Sequence, residues 1–339
     1  MAGTLRWGIL GTGNIARQFT RGQAPGSRNV LSAVGSRSVQ SAEQFAAAHR
    51  LPRAHGSYEA LIADPAVDAV YVSLPNSLHH EWTVRSLRAG KHVLCEKPLA
   101  ASAAEAEEMF DVARREGRVL VEGFMYRSHP LTRTVQEAVR SGEIGQLKLI
   151  RTSFCFRTTK VAGNIRFEAS LAGGALMDVG CYCLNFARMF AAAEPTAVHG
   201  VGHLHESGVD DLAAGVLQFP GGVAGTFVCG MTVQADNAAY LCGSEGYIEV
   251  PVPWKPPREN AAYRVVRATP PLMDGPVNAP PTSPRQTHHV TAPAELYALE
   301  TDDFAAVVLD GAPPSLDRQD TLGNMRLLDE LRRQIGVKF

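Results

Sequence analysis

Trp7-Gly8-Ile9-Leu10-Gly11-Thr12-Gly13-Asn14-Ile15-Ala16 is the stretch on which the fold turns. A short apolar run stops at a glycine turn, and a helix-forming segment follows at once. Strand, turn and helix in that order give the G-x-G-x-x-G/A pattern the context that makes it a dinucleotide site. Gly11 permits the tight turn, Gly13 lets the backbone approach a pyrophosphate, and Ala16 allows close packing of helix on strand. The start of the helix offers free N–H groups and the positive end of its dipole to phosphate. Gly11, Thr12, Gly13, Asn14 and Ile15 are therefore the first candidate cofactor ligands.

The rhythm continues outward from this turn. Val30 to Gly35 reads as a second strand and Ser41 to His49 as a helix. Val67 to Leu74 is almost continuously apolar, as expected of a strand covered on both faces. Helix at Glu81–Ala89, strand at His92–Cys95, helix at Ala103–Glu116 and strand at Val119–Val121 follow. Alternating strands and helices predict an α/β Rossmann domain with a doubly wound parallel sheet, assigned to residues 1–124. Nicotinamide-dinucleotide domains that prefer NAD carry an acidic residue near the end of the second strand. Here that position reads Gly35-Ser36-Arg37-Ser38. Hydroxyls and a guanidinium suit a 2′-phosphate that a carboxylate would repel, so Ser36 and Arg37 predict NADP(H), with NAD(H) possible.

The bulk composition narrows the class. At 339 residues the chain is long enough for two domains. A formal net charge of −1 gives no reason to expect nucleic acid or an anionic membrane as partner. No apolar run approaches the ~20 residues of a membrane span, and the N-terminus enters a strand without a charged leader. Six scattered cysteines point to reduced thiols and a cytoplasmic protein. Cys181 and Cys183 have neither metal-knuckle nor redox-pair spacing, and the histidine pairs His79-His80 and His288-His289 lack ligand companions, so no metal is expected.

Three further segments carry chemistry. Leu74-Pro75-Asn76-Ser77-Leu78-His79 and Glu96-Lys97-Pro98 each follow a buried strand, at the carboxyl edge where open α/β sheets bind ligands. A lysine there can hydrogen-bond a reacting hydroxyl and stabilise alkoxide charge; a surface lysine beside Glu96 is the bland alternative. After Gly173-Gly174, an apolar helix places Asp178, Tyr182 and Asn185 at i, i+4, i+7, a polar stripe on one face. Such a stripe is either a buried network or a site. A tyrosine near a lysine could exchange a proton with a substrate hydroxyl, its pKa lowered by the nearby charge.

Taken together, the glycine turn, Glu96-Lys97-Pro98 and the glycine-rich approach to Asp178 and Tyr182 resemble the glucose–fructose oxidoreductase / inositol dehydrogenase family. The resemblance extends through Glu122 to Pro130, where the family crosses between domains, and on to Gly323–Asp329. Tyrosine rather than histidine at 182, with Ser36-Arg37, looks like its dimeric dihydrodiol dehydrogenase and NADP-dependent D-xylose dehydrogenase branch. That resemblance implies that Lys97 and Tyr182 act on the substrate hydroxyl, with Asp178 close by. It also implies cofactor contacts from Leu74, Asn76, His79, Glu96 and Lys97. Ala172, where family members often have a third glycine, departs from the pattern and puts the local loop conformation in question.

From Met125 the strand–helix rhythm gives way to strand-like segments at Leu147–Arg157, Ala213–Phe219, Gly222–Met231, Ala239–Gly243 and Tyr247–Val250. They predict a second, α+β domain over residues 125–339, with a mainly antiparallel open sheet. The proline-rich stretch Pro251–Pro293 reads as a long irregular excursion, and Glu295–Leu309 and Thr321–Ile335 as closing helices. Arg127, Phe154, Phe156, Arg166, Phe167 and Asn185 are the candidate substrate contacts. The family resemblance implies a homodimer or larger oligomer through the sheet. The expected activity is hydride transfer between NADP(H) and a CH–OH group of a small polyol, a sugar such as D-xylose, or a cyclic trans-diol. Two alternatives stand beside it: an oxidoreductase or glycoside-cleaving relative that internally recycles a tightly bound cofactor, and a non-catalytic NADP-sensing regulator, against which Lys97 and Tyr182 both count.

Overall fold

A computed structural model describes residues 3–23, 28–267 and 284–338. The glycine turn divides strand β1 (Leu5–Leu10) from helix α1 (Asn14–Arg21), and five more strands join β1. These are β2 (Asn29–Gly35), β3 (Ala54–His55), β4 (Ala69–Val72), β5 (His92–Glu96) and β6 (Leu120–Gly123). All pairings are parallel, in the order β3-β2-β1-β4-β5-β6. The reversal beside β1 puts the carboxyl ends of β1 and β4 at the crevice where such sheets take ligands. Helices α2 (Val39–His49), α3 (Tyr58–Ile62), α4 (His79–Arg88) and α5 (Ala103–Arg115) make the crossovers. Strand β4 is buried at every position, which explains its lack of alternation.

After α6 (Pro130–Arg140), eight strands build the second sheet. They are β7 (Leu147–Cys155), β8 (Ala197–Leu204), β9 (Asp210–Gln218), β10 (Ala224–Gly230), β11 (Ala239–Gly243), β12 (Gly246–Val250), β13 (Ala261–Arg267) and β14 (Arg285–Val290). Their order is β14-β13-β12-β11-β7-β10-β9-β8, antiparallel except for the central β7–β10 pair. One face is covered by the almost wholly buried helix α7 (Cys181–Ala191). The other leaves Val201 and Val216 exposed.

Two expectations need correction. The stretch Pro251–Pro293 is not irregular throughout: β13 and β14 lie within it and extend the sheet edge, although 268–283 fall outside the described residues. Ala261, Tyr263 and Val265 alternate inward there, a period-2 signal masked by the surrounding prolines. The helix after Gly173-Gly174 is not α-helical from its start. Leu176–Gly180 is a π turn that passes into α7. Strand β8, rich in glycine and histidine, has little apolar signal and was not expected.

The chain then returns to its beginning. Helix α8 (Leu296–Asp310) lies on the first sheet's face, where Phe304 packs on Trp7 and Tyr297 on Phe19. Arg28 pairs with Asp310 at 2.6 Å, and Asn29 donates to Asp302 at 2.7 Å. Helix α9 (Arg318–Gln334) packs against both α5 and α7.

Candidate active site

The glycine turn is shaped for a ligand. Gly11 has φ +102°, and an added Cβ would stand 3.1 Å from the Ser73 carbonyl, so only glycine suits the turn. Gly13 is different. Its φ of −71° is open to any residue, and an added Cβ would meet nothing within 4 Å. No side chain caps α1 and no acid lies in its first turn, leaving its N–H groups available. Thr12, Asn14 and Ile15 rim the turn with part of their surface open. Leu74 packs beneath Gly11.

At the end of β2, Ser36 is buried and Arg37 is exposed beside Tyr58, with no carboxylate paired to it among the described residues. Ser38 instead caps α2, its hydroxyl accepting from the Ser41 N–H at 3.3 Å. An uncapped helix start with a guanidinium that no described carboxylate neutralises fits a dinucleotide bearing an extra phosphate.

Across the cleft, the glycine pair positions the acidic residue. A Cβ on Gly173 would run into the Arg166 carbonyl, and Gly174 has φ +118° against the Asp210 carboxylate. That carboxylate accepts the Leu176 N–H at 2.7 Å and starts the π turn. The turn disrupts the regular i to i+4 ladder, and such turns often mark functional sites. Asp178 faces Lys97 from this turn: Lys97 Nζ donates to the Asp178 carbonyl at 2.8 Å and to Oδ1 at 3.3 Å. Arg166 donates from Nε to the other carboxylate oxygen at 2.5 Å. The ammonium also lies over the Tyr182 ring, 5.1 Å from its centre. A cleft of about 60 Å³ opens beside Asp178, Arg166 and Asn76. Asn76 closes one side of it by donating to the Ala172 carbonyl at 2.8 Å. Ala172 takes up the left-handed conformation at φ 54° that a glycine would adopt freely.

The electrostatics keep the Lys97–Asp178 pair ionised. Burial pulls Lys97 down, but the Asp178 carboxylate, with Cys181 and Glu96, outweighs it and holds the ammonium above its ordinary value. Burial pushes Asp178 up, and Lys97 and Arg166 more than reverse that. Tyr182 departs from the sequence expectation. Burial, then the Glu96 carboxylate and Cys181, raise its phenol well above the ordinary range, so it stands neutral. Its hydroxyl donates to Met125 Sδ at 3.4 Å.

Behind Lys97, Glu96 is buried; it accepts the Tyr71 hydroxyl on one oxygen and the Lys97 N–H at 3.3 Å on the other. Burial raises its pKa.

The expected stripe divides by its partners, Asp178 and Tyr182 meeting Lys97 and Asn185 meeting Tyr126 and Arg127. Asn185 is fully buried, accepting from the Tyr126 hydroxyl at 2.5 Å and from Arg127 at 3.4 Å. Arg127 in turn pairs with Asp320 at 2.7 Å. Both therefore brace α7 against α9, and neither bonds Lys97 among the described residues. His79 lies wholly buried with its ring nitrogens 2.9 Å from the Pro98 carbonyl and 2.8 Å from that of Leu74. It ties the two sheet-edge loops together. Phe167 is buried edge-on to His205, whereas Phe156 lies under the Arg166 guanidinium. Phe154 packs against Tyr182 and stacks on Trp254, with centroids 5.6 Å apart.

Trp254 and Lys255 escaped the sequence reading. Trp254 joins Tyr126, Phe154, Tyr182 and Phe186 in one aromatic cluster. A lone Trp-Lys within a proline-rich run was the available signal, because loops on a rigid scaffold so often carry function.

A parallel sheet with an open glycine turn, and a lysine at the carboxyl edge of β5 held by a residue of a second, mainly antiparallel domain, define a two-domain dinucleotide-binding oxidoreductase. Residues 5–124 match the model of an oxidoreductase family with an NAD-binding Rossmann fold, and residues 132–249 match the GFO/IDH/MocA C-terminal domain. The chain belongs to the GFO/IDH/MocA family. It is 38% identical to trans-1,2-dihydrobenzene-1,2-diol dehydrogenase of Mus musculus, covering 74% of this chain and 76% of that one. It is 34% identical to D-xylose 1-dehydrogenase (NADP(+)) 2 of Haloferax volcanii, covering 96% of each. Among solved structures, the 3-ketoreductase KijD10 from Actinomadura kijaniata, complexed with NADP and TDP-benzene, superposes with a TM-score of 0.85 at 31% identity and 98% coverage of both chains.

Proposed function

We propose that the chain is an NADP(H)-dependent oxidoreductase acting on a CH–OH group, or the corresponding carbonyl, of a small polyol, sugar or cyclic trans-diol. The observation that carries this reading is the Lys97 ammonium, held between Asp178 and the face of Tyr182 at the edge of β5. The names of the diol and D-xylose dehydrogenase relatives support the substrate class. When bound, the nicotinamide takes up or supplies the hydride.

The protein's own groups handle the oxygen and its proton. Lys97, kept charged by Asp178, hydrogen-bonds the substrate oxygen and stabilises negative charge on it. Tyr182, neutral in the free site, donates its phenolic proton to that oxygen in reduction and recovers it in oxidation. Arg166, Phe154 and Phe156 wall the second-domain side. Six free thiols, five of them buried, support a reducing, cytoplasmic setting. The exposed valines of β8 and β9 support a homodimer through the second sheet.

A screen of NADP+ and NAD+ reduction against aldoses, inositols and cyclic diols tests the activity. Lys97→Ala and Tyr182→Phe are each expected to cut turnover by ~10²-fold or more. Near-normal turnover in both would overturn the assignment, and a preference for NAD+ would remove Arg37 from it.

A further inference from the structure

Lys255, an exposed side chain of the second domain, reaches across the cleft to α1 and makes no ion pair among the described residues. Its backbone is fixed by buried neighbours. Trp254 donates its indole N–H to the Ser153 carbonyl at 2.9 Å, and Pro253 and Pro256 are buried on either side. From this platform the ammonium donates to Gln18 Oε1 at 3.1 Å. Gln18 stands one turn after Asn14 on the same face of α1, on the phosphate-cradling helix.

The charged groups facing Lys255 are Glu96, Lys97, Asp178 and Arg166. Both carboxylates already have partners: Asp178 holds Lys97 and Arg166, and Glu96 holds Tyr71 and the Lys97 N–H. The remaining two groups are cations that repel it. Among the described residues, a neutral amide oxygen is thus the whole of its hydrogen bonding, and a charge-assisted bond to an anion is roughly twice as strong.

We propose that Lys255 is an anion ligand of the interdomain cleft, exchanging Gln18 for a phosphate or carboxylate oxygen of a bound molecule. Two molecules could bring that oxygen: the dinucleotide, through its pyrophosphate at the start of α1, or the substrate, through an acidic group. In either case the lysine ties the second domain to a ligand seated on the first. This rests on reading the cleft as a nicotinamide-dependent site, but the binding arm below needs no turnover and so fails separately from that reading.

The test compares Lys255→Met and Lys255→Arg with the parent protein, after checking that melting temperatures agree. NADPH affinity is measured by fluorescence titration at low and high salt. The affinity of the NADPH complex for D-gluconate and for D-xylose is read from tryptophan fluorescence. A roughly tenfold loss of NADPH affinity in Lys255→Met, with a weaker salt dependence and recovery in Lys255→Arg, assigns the anion to the cofactor. Unchanged NADPH affinity with a similar loss for D-gluconate but not D-xylose assigns it to the substrate. Unchanged NADPH affinity together with no selective loss for D-gluconate overturns the proposal.

Discussion

Lys97 and Asp178 meet through two oxygens of one residue: the lysine donates to the Asp178 carbonyl at 2.8 Å and to its carboxylate at 3.3 Å. The first contact depends only on the path of the π turn, and the second depends on charge. Position and ionisation of the ammonium are thus set separately, and a substitution can divide them.

Asp178→Asn keeps the carbonyl contact and removes the charge. Lys97 is then expected to stay in place but to titrate lower, because the carboxylate that raised it is gone. Turnover should fall about tenfold, less than for Lys97→Ala, and the alkaline limb of its pH profile should shift downward. Steady-state kinetics across pH for both variants checks this. Equal losses with no shift in the profile would count against a separate electrostatic role.

The raised phenol of Tyr182 gives the two directions of reaction opposite pH behaviour. Reduction draws a proton from the neutral phenol, so its rate should hold through neutrality and fall only on the alkaline side. Oxidation needs the phenol deprotonated, so kcat/KM should climb with pH without a plateau near neutrality. Profiles measured in both directions from about pH 6 to about pH 10 decide the matter. An oxidation profile that is flat throughout would remove Tyr182 from proton transfer.

Gly13→Ala separates folding from binding. The backbone there accepts alanine, and the added methyl meets nothing within 4 Å. Unfolding free energy should therefore fall by no more than about 1 kcal/mol, alanine's weaker N-cap being offset by a stiffer unfolded chain. NADPH affinity should fall tenfold or more, since the methyl blocks approach of the backbone to the pyrophosphate. Calorimetry and a binding titration on one preparation measure both.

Glu122 should leave a mark on stability against pH. It accepts the Leu99 N–H at 2.9 Å and shares with Glu300 a cavity of about 10 Å³, room for about one water. Burial pushes its carboxyl from 4.5 up to about 8. A folded-state value raised in this way contributes stability that is complete below pH 4.5 and is lost as pH rises through about 8. Glu122→Gln keeps an acceptor for Leu99 and abolishes the titration. Relative to the parent, the variant should gain up to about 1.4 kcal/mol per pH unit within that window. Urea unfolding at several pH values gives the comparison, and parallel curves would contradict it.

The first sheet was readable because its signals are local. Buried parallel strands are apolar throughout, and Gly11 to Ala16 spells out its own geometry. Lys97, Asp178 and Tyr182 were legible as candidates because a strand end and a glycine pair mark their neighbourhoods. Their mutual arrangement was not, since a π turn inserts its extra residue without a sequence signature, and Asn185 is taken up by Tyr126 and Arg127. Arg127 illustrates a second limit: its partner Asp320 is supplied by a helix far along the chain. Trp254 and Lys255 lie among prolines, where composition suggests irregular chain, and only the tertiary fold brings them beside Tyr182 and Gln18.

The return of α8 to the first sheet bears on how the protein is made. Trp7 and Phe19 leave the ribosome long before the rings that cover them, Phe304 and Tyr297. Until α8 has been made, the dinucleotide-binding sheet therefore carries an uncovered aromatic face. A nascent chain stalled before Leu296 should expose that face to chaperones, and release of α8 from the exit tunnel should hide it.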